Sequence, residues 1–113
     1  MKKEALVFIK HILESIEDIE NYSKSVSKNQ FFKDKKLQDA IVKRIEIIGE
    51  AVKNLPIEFT NKYPFVPWSE IARTRDKMVH HYFGVDLDIV WDIVKKDLPG
   101  LKKDIKDILD KEK

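Results

Sequence analysis

Apolar residues recur at intervals of three and four along most of this chain, and this periodicity most restricts what the chain can fold into. Two such series are clear in its first half: Ile9, Ile12, Ile16 and Ile19, then Ile41, Ile45, Ile48 and Val52. Such spacing aligns side chains along one face of an α-helix. No segment shows the alternation of apolar and polar residues that a half-buried strand would show. The sequence therefore predicts an all-α fold.

The helical segments predict an up-and-down bundle of four long helices with a short extra helix at the C-terminus. Proline, glycine and capping residues set the predicted boundaries. The first long helix is expected at residues 3–23 and the second at residues 37–55, before Pro56. The third is expected from Trp68 or Ser69 to about His81, before Gly84, and the fourth from the N-cap Asp86 to Leu98. The Pro99-Gly100 pair is expected either to kink the fourth helix or to begin the fifth.

The segments between these helices are predicted to be irregular. Residues 23–36 are polar and lysine-rich and are expected to form a loop, and residues 57–66 an irregular connection. Residues 110–113 are expected to fray. Aromatic residues are predicted to anchor the two connections to the core: Phe31, Phe32, Phe59, Tyr63 and Phe65. In the fourth helix the residues expected to face inward are Ile89, Val90, Ile93 and Val94.

The length and composition of the chain limit the classes of function open to it. Its 113 residues and 13.3 kDa fit one domain, residues 1–113. The absence of cysteine excludes disulfides, zinc–cysteine sites and thiol catalysis, and suits a reducing compartment. Lys10 and His11 interrupt the first apolar run, and no run is long enough to cross a bilayer. We therefore expect a cytoplasmic protein without a membrane segment.

Arginine is rare in this chain, so its positions are informative. Only Arg44, Arg73 and Arg75 occur among 22 lysine and arginine residues. Arg75 falls in the middle of the apolar stripe of the third predicted helix, and Arg44 lies within the apolar arc of the second. A guanidinium is costly to bury alone, so each needs a carboxylate, a polar interface or an anionic ligand. We expect Arg44 to be a structural residue whose charged end either reaches solvent or is ion-paired.

Arg75 has chemically active neighbours, since Asp76, His80, His81 and Tyr82 follow within eight residues. Such residues are structural more often than catalytic, so the pattern alone leaves both roles open. His80 and His81 point about 100° apart on a helix, and the Asp76–His80 pair has no evident third ligand. The sequence therefore predicts no metal site and no cofactor, and His81 receives no role.

An arginine and a histidine can cleave a phosphodiester without a metal. Histidine can take a proton from a ribose 2′-hydroxyl or give one to the leaving oxygen, while arginine stabilises charge on the phosphate. DNA lacks that hydroxyl, so the substrate would be RNA. Arg75 and His80 diverge by about 140° on a regular helix. Either the helix is distorted near His80, or two chains of a symmetric dimer assemble the site.

Three segments of the chain resemble a known family. The stretch Arg75-Asp-Lys-Met-Val-His-His-Tyr-Phe-Gly-Val-Asp resembles the signature of HepT-type HEPN proteins, toxins paired with minimal nucleotidyltransferase (MNT) antitoxins. Arg44-Ile-Glu-Ile-Ile-Gly-Glu-Ala resembles the second helix of that family, and Asp97-Leu-Pro resembles its C-terminal helix. The resemblance covers nearly the whole chain. It implies a homodimeric, metal-independent endoribonuclease with a composite site at the dimer cleft.

The resemblance also implies roles for individual residues. Arg75 would bind the scissile phosphate and His80 would act as general acid and base. Asp76 occupies a polar position of the same catalytic site, which is often asparagine in the family. Tyr82 matches the tyrosine that the nucleotidyltransferase partner modifies with AMP. That modification would place bulk and negative charge beside the cleft and so repel RNA.

Lysines between the first two predicted long helices are candidates for RNA contact. The densest basic stretch consists of Lys24, Lys28, Lys33, Lys35 and Lys36. Of these we predict that Lys33, Lys35 and Lys36 contact backbone phosphates. The formal net charge of only +2 predicts weak, salt-sensitive binding. An alternative function stays open, in which the chain is a noncatalytic helical adaptor that binds a nucleotidyltransferase.

Overall fold

A computed structural model describes the backbone of residues 2–80 and 86–113 and the side chains of residues 3–78 and 86–113. Within these ranges the chain is helical and has no β-strand, which confirms the predicted all-α class. None of the described helices combines the length and the hydropathy that a membrane span needs. The helices are α1 (Lys2–Ser23), α2 (Lys28–Lys33), α3 (Lys35–Lys53), α4 (Ile57–Lys62), α5 (Trp68–His80), α6 (Leu87–Asp92) and α7 (Leu98–Lys111), with a π-helical turn (Ile93–Asp97) between the last two.

Helix α3 is the centre of the described structure, because α1 and α5 both pack extensively against it. Helix α7 packs against α1. The predicted apolar stripes form the core: the side chains of Ile9, Ile12, Ile16, Ile19 and Ile41 are fully buried, and those of Ile45, Ile48 and Val52 nearly so. The wide apolar arc of α3 is therefore explained by its two large neighbours.

The first connection contains a short helix, so the prediction of a loop over residues 23–36 was wrong. Helix α2 begins with a capping box, in which the Gln30 amide donates to the Ser27 hydroxyl at 3.1 Å and the Ser27 amide donates to the Gln30 side chain at 2.8 Å. These two bonds satisfy amides that a helix N-terminus leaves free. Phe31 is fully buried as expected, whereas Phe32 is 38% exposed.

The second connection also contains a helix, α4, which begins directly after Pro56. Phe59 and Tyr63 are buried, as predicted. Phe65 is 51% exposed and does not anchor the segment to the core. In α6 the expectation for Ile89 was also wrong, since that side chain is 53% exposed.

The last helix of the chain is longer than predicted. Asp86 is the N-cap of α6, as expected, and accepts a hydrogen bond from the Asp88 amide at 2.9 Å. Pro99 and Gly100 lie in the first turn of α7, where the missing amide of proline costs no helical hydrogen bond. They begin a helix of 14 residues, so the last helix is not short.

The end of the chain is fixed to α4, which contradicts the prediction that residues 110–113 fray. Glu112 is buried and lies 2.7 Å from the Lys62 ammonium. The buried Tyr63 hydroxyl also donates to Glu112. Burial is the main cause that raises the pKa of Tyr63, and its bond to Glu112 adds to the rise. The hydrogen bond to Glu112 is the main cause that raises the pKa of Lys62.

We predict that Glu112→Ala lowers the free energy of unfolding by about 1–3 kcal/mol, because it leaves the buried Tyr63 hydroxyl without this acceptor. Urea unfolding followed by circular dichroism measures the change. The matched control is Asp110→Ala, which removes an exposed carboxylate 3.7 Å from Lys113. That variant should lie within about 0.5 kcal/mol of the wild type. Equal effects of the two substitutions would contradict a structural role for Glu112.

Candidate active site

The stem of Arg75 lies against the backbone of α3 at Gly49. A Cβ atom added at Gly49 would overlap the Cβ of Arg75 and would lie 2.7 Å from its Cγ and 3.3 Å from its Cα. Glycine in a helix interior costs about 0.5–1 kcal/mol relative to alanine, so it is retained where a close approach needs it. The small residue at position 49 therefore lets α5 pack closely on α3 and directs Arg75 along the helix surface.

Two carboxylates hold the guanidinium of Arg75 at the protein surface. Its Nη2 atom lies 3.1 Å from Glu50 Oε2 on α3, and its Nη1 atom lies 3.3 Å from Asp76 Oδ1. Its Nε atom is buried and has no hydrogen-bond partner among the described residues. The Arg75 side chain is 27% exposed, so this residue is held in place and still partly open to solvent. Of the three partners expected for this arginine, which were a carboxylate, a polar interface and an anionic ligand, the structure shows carboxylates.

Lys53 of α3 completes a cluster of four charges. Its Nζ atom donates to Asp76 Oδ1 at 2.7 Å, the same oxygen that Arg75 approaches. The hydrogen bond from Lys53 is the main cause that lowers the pKa of Asp76, and Arg75 adds to it against the opposing effect of burial. The carboxyl group of Asp76 is therefore ionised at neutral pH. Sequence reasoning missed both Lys53 and Glu50.

The predicted catalytic histidine ends α5. The backbone is α-helical from Trp68 to His80, so the described residues give no support to a distorted helix before His80. Positions 75 and 80 consequently lie on faces about 140° apart. The side chain of His80 and the whole of His81 and Tyr82 lie outside the described residues.

The other arginine that broke an apolar pattern is explained by an ion pair. Arg44 Nη1 lies 3.4 Å from Asp18 Oδ2 of α1, and both side chains are more than a third exposed. The pair joins α1 to α3 about two turns before Glu50. Arg44 is therefore a structural residue, as predicted, and is not part of the four-charge cluster.

The three lysines predicted to bind RNA lie at the far end of α3 from Arg75. Lys33, Lys35 and Lys36 are exposed at the junction of α2 and α3, and Lys35 lies 3.2 Å from Asp39. Because α3 rises 1.5 Å per residue, they stand about 20 Å along the helix from Gly49. The structure does not bring them to Arg75 within one chain, and their contact with RNA stays a prediction.

The four described side chains of the cluster are all partly exposed, so the cluster lies at the surface. A cleft of about 370 Å³ lies nearby between α3, α5 and α7, with Ile45, Ile71, Thr74 and Asp104 among its lining residues. Arg75, Asp76 and Lys53 do not line it. Among the described side chains no group of three or more potential metal ligands occurs. The candidate active site is therefore an exposed arginine and lysine held by two carboxylates.

The described chain is thus an all-α fold in which carboxylates hold a partly exposed arginine between two central helices, α3 and α5. Residues 12–108 match the family described as ribonuclease HepT-like. The chain belongs to this family, so the prediction of the family, and of an endoribonuclease at the level of the family, is confirmed.

Curated relatives agree with this assignment. The chain is 53% identical over 110 residues to a protein of Methanocaldococcus jannaschii whose name combines a gamma-glutamylcyclotransferase with a candidate RNase. The matched region covers 97% of this chain but only half of that relative. The chain is 48% identical over 108 residues to a second candidate RNase of that organism, with 96% of this chain and 89% of the relative covered. A protein named probable ribonuclease HepT from Thermococcus cleftensis is 45% identical over 102 residues, with 90% and 93% covered. No solved structure matches this chain significantly.

We predict that Gly49→Ala lowers the free energy of unfolding by about 1–3 kcal/mol, because the added methyl group overlaps the Arg75 stem and forces α3 and α5 apart. Gly100→Ala is the matched control, since a Cβ atom there meets nothing within 4 Å. That variant should be neutral or more stable by up to about 1 kcal/mol. Thermal and urea unfolding measure both. A Gly49→Ala protein as stable as the wild type would show that the close approach is not required.

Proposed function

We propose that this chain is a metal-independent endoribonuclease that acts as the toxin of a toxin–antitoxin pair, with an MNT-type nucleotidyltransferase as its antitoxin. Membership of the HepT-like family supports the ribonuclease. The observation that carries the proposal is Arg75, whose guanidinium is held between Glu50 and Asp76 while its side chain stays 27% exposed. A guanidinium in that position can bind a phosphate of tRNA or mRNA. The proposed enzyme acts in the cytoplasm.

In the proposed reaction His80 takes the proton from a ribose 2′-hydroxyl. The 2′-oxygen forms a bond to the adjacent phosphorus, and the bond from phosphorus to the 5′-oxygen of the next nucleotide breaks. The imidazolium form of His80 donates a proton to that 5′-oxygen, while Arg75 stabilises the negative charge on the phosphate. The products are a 2′,3′-cyclic phosphate and a 5′-hydroxyl, and the proton balance needs no metal.

The catalytic pair is completed between two copies of the chain. Positions 75 and 80 lie on faces about 140° apart of one helix, which favours a site shared by two chains. A two-fold dimer that packs α5 beside its copy would place Arg75 of one protomer near His80 of the other. Lys33, Lys35 and Lys36 would then contact the RNA backbone several nucleotides from the scissile bond.

We predict that the wild-type protein cleaves total tRNA in excess chelator, and that Arg75→Ala and His80→Ala each lower the rate by at least about a hundredfold. The loss follows because His80 transfers the protons of the reaction, while Arg75 binds the phosphate and stabilises the charge that develops on it. Denaturing gels and mass spectrometry of the new ends measure the rate and identify the cyclic phosphate. DNA of matched sequence should remain intact.

Arg44→Ala is the arginine control for this experiment, because Arg44 is paired with Asp18 away from the cluster. It should cleave at close to the wild-type rate. Absence of cleavage by the unmodified wild type over a range of salt concentrations would refute the nuclease and favour a noncatalytic adaptor of the nucleotidyltransferase. Cleavage that persists in both Arg75→Ala and His80→Ala would refute the assigned residues.

The proposed antitoxin inactivates the enzyme by transferring AMP to Tyr82. The tyrosine oxygen attacks the α-phosphorus of ATP and pyrophosphate leaves, so each transfer adds one bulky, negatively charged group. Tyr82 stands two residues after His80 in the sequence, which puts that charge close to the catalytic pair. Negative charge there repels RNA phosphate and blocks the cleft.

We predict that incubation with the nucleotidyltransferase and ATP adds mass in units of AMP and lowers RNA cleavage in proportion to the modified fraction. Intact-protein mass spectrometry and the gel assay measure the two effects. Tyr82→Phe should gain no mass. Tyr22→Phe, which alters a tyrosine that is 38% exposed on α1, should be modified like the wild type. A Tyr82→Phe protein that still gains AMP would remove Tyr82 as the acceptor.

A further inference from the structure

Two cations from different helices converge on a single carboxylate oxygen. Asp76 Oδ1 lies 2.7 Å from the Lys53 Nζ of α3 and 3.3 Å from the Arg75 Nη1 of α5. All three side chains are partly exposed, at 41% for Lys53, 39% for Asp76 and 27% for Arg75. An anionic oxygen that accepts from both an ammonium and a guanidinium resembles a nonbridging phosphate oxygen in charge and in hydrogen bonding.

The cluster fixes Arg75 more firmly than its bridging anion. The Arg75 stem is held against Gly49, and its Nη2 atom has a separate partner in Glu50 at 3.1 Å. Asp76 has a short side chain that can change rotamer toward solvent without any movement of α5. Departure of Asp76 would leave Arg75 in place and would free donors on both Arg75 and Lys53.

We propose that Lys53 is a second phosphate-binding cation of this ribonuclease site, and that Asp76 fills its anion position while RNA is absent. The inference rests on the proposed ribonuclease function and adds a binding residue to it. When RNA binds, the Asp76 carboxylate leaves Lys53 and Arg75, and an RNA phosphate takes its place. The lowered pKa of Asp76 keeps its carboxylate charged at neutral pH, so it competes with phosphate there.

A purely structural role for the Lys53–Asp76 pair predicts a different result. If the pair only joined α3 to α5, loss of either partner would break the same contact, and both substitutions would affect RNA binding in the same direction. In the proposed site the two partners have opposite effects. Lys53 attracts phosphate and Asp76 excludes it, so the sign of each change separates the two explanations.

The test measures binding of a fluorescein-labelled 2′-O-methyl oligouridine 12-mer by fluorescence anisotropy. This probe lacks the 2′-hydroxyl nucleophile and stays intact, so binding is measured independently of cleavage. Lys53→Met should raise Kd about five- to tenfold and reduce the slope of log K against log salt concentration by about 1. Lys53→Arg should restore most of the affinity. Asp76→Asn should lower Kd severalfold, because it removes the competing charge at nearly constant volume.

Lys102→Met is the matched control, since Lys102 also lies 2.7 Å from a carboxylate, that of Glu20, in a partly exposed pair between α7 and α1. It should leave Kd unchanged, and circular dichroism should show native helicity in every variant. An unchanged Kd for Lys53→Met, a shift of Kd in the same direction for Lys53→Met and Asp76→Asn, or no binding by the wild type at low salt would overturn the inference. Failure of tRNA cleavage alongside the expected binding changes would refute the nuclease and leave the phosphate site standing.

Discussion

The close approach of α5 to α3 at Gly49 determines the arrangement of the charged residues. Because position 49 has no Cβ atom, the Arg75 stem can lie directly on α3, and its guanidinium reaches Glu50, the residue after the glycine. Glu50 and Lys53 stand three residues apart and so share one face of α3. The helical period of α3 thus places the anionic Glu50 and the cationic Lys53 against the same surface of α5. One small residue and the geometry of one helix are enough to build the cluster around Arg75.

The long helices could be predicted from the sequence because their apolar stripes repeat over several turns, and α1 and α3 were placed to within about two residues. The short helices could not be predicted by periodicity, since six residues make fewer than two turns. A local signal existed for α2, because Ser27 and Gln30 have the spacing of a capping box. The exposure of the Phe65 and Ile89 side chains had no such local signal in the sequence. It depends on which neighbours pack against each face, and that information is tertiary.

The candidate site shows the same division between local and tertiary information. Arg75 could be singled out because a permanent charge on an apolar stripe needs a partner. Glu50 and Lys53 gave no such signal, since charged residues near the end of an amphipathic helix are ordinary. The clue that was available is Gly49, because a glycine inside a helix often marks a close approach of another backbone or side chain. Only the packing of α5 on α3 shows which arginine that glycine accommodates.

The balance of charges in the cluster bears on how two chains can share a site. With Arg75 and Lys53 each held by carboxylates, the two positive and two negative charges of one cluster sum to zero. Two copies can therefore bring their α5 helices together without the repulsion that four uncompensated cations would produce. A phosphate that replaces Asp76 keeps both cations paired, because it supplies the anionic oxygen that the carboxylate withdraws. In the proposed enzyme, the zero net charge of each cluster before RNA binds favours the dimer. Exchange of the Asp76 carboxylate for an RNA phosphate then lets RNA bind without separating the subunits.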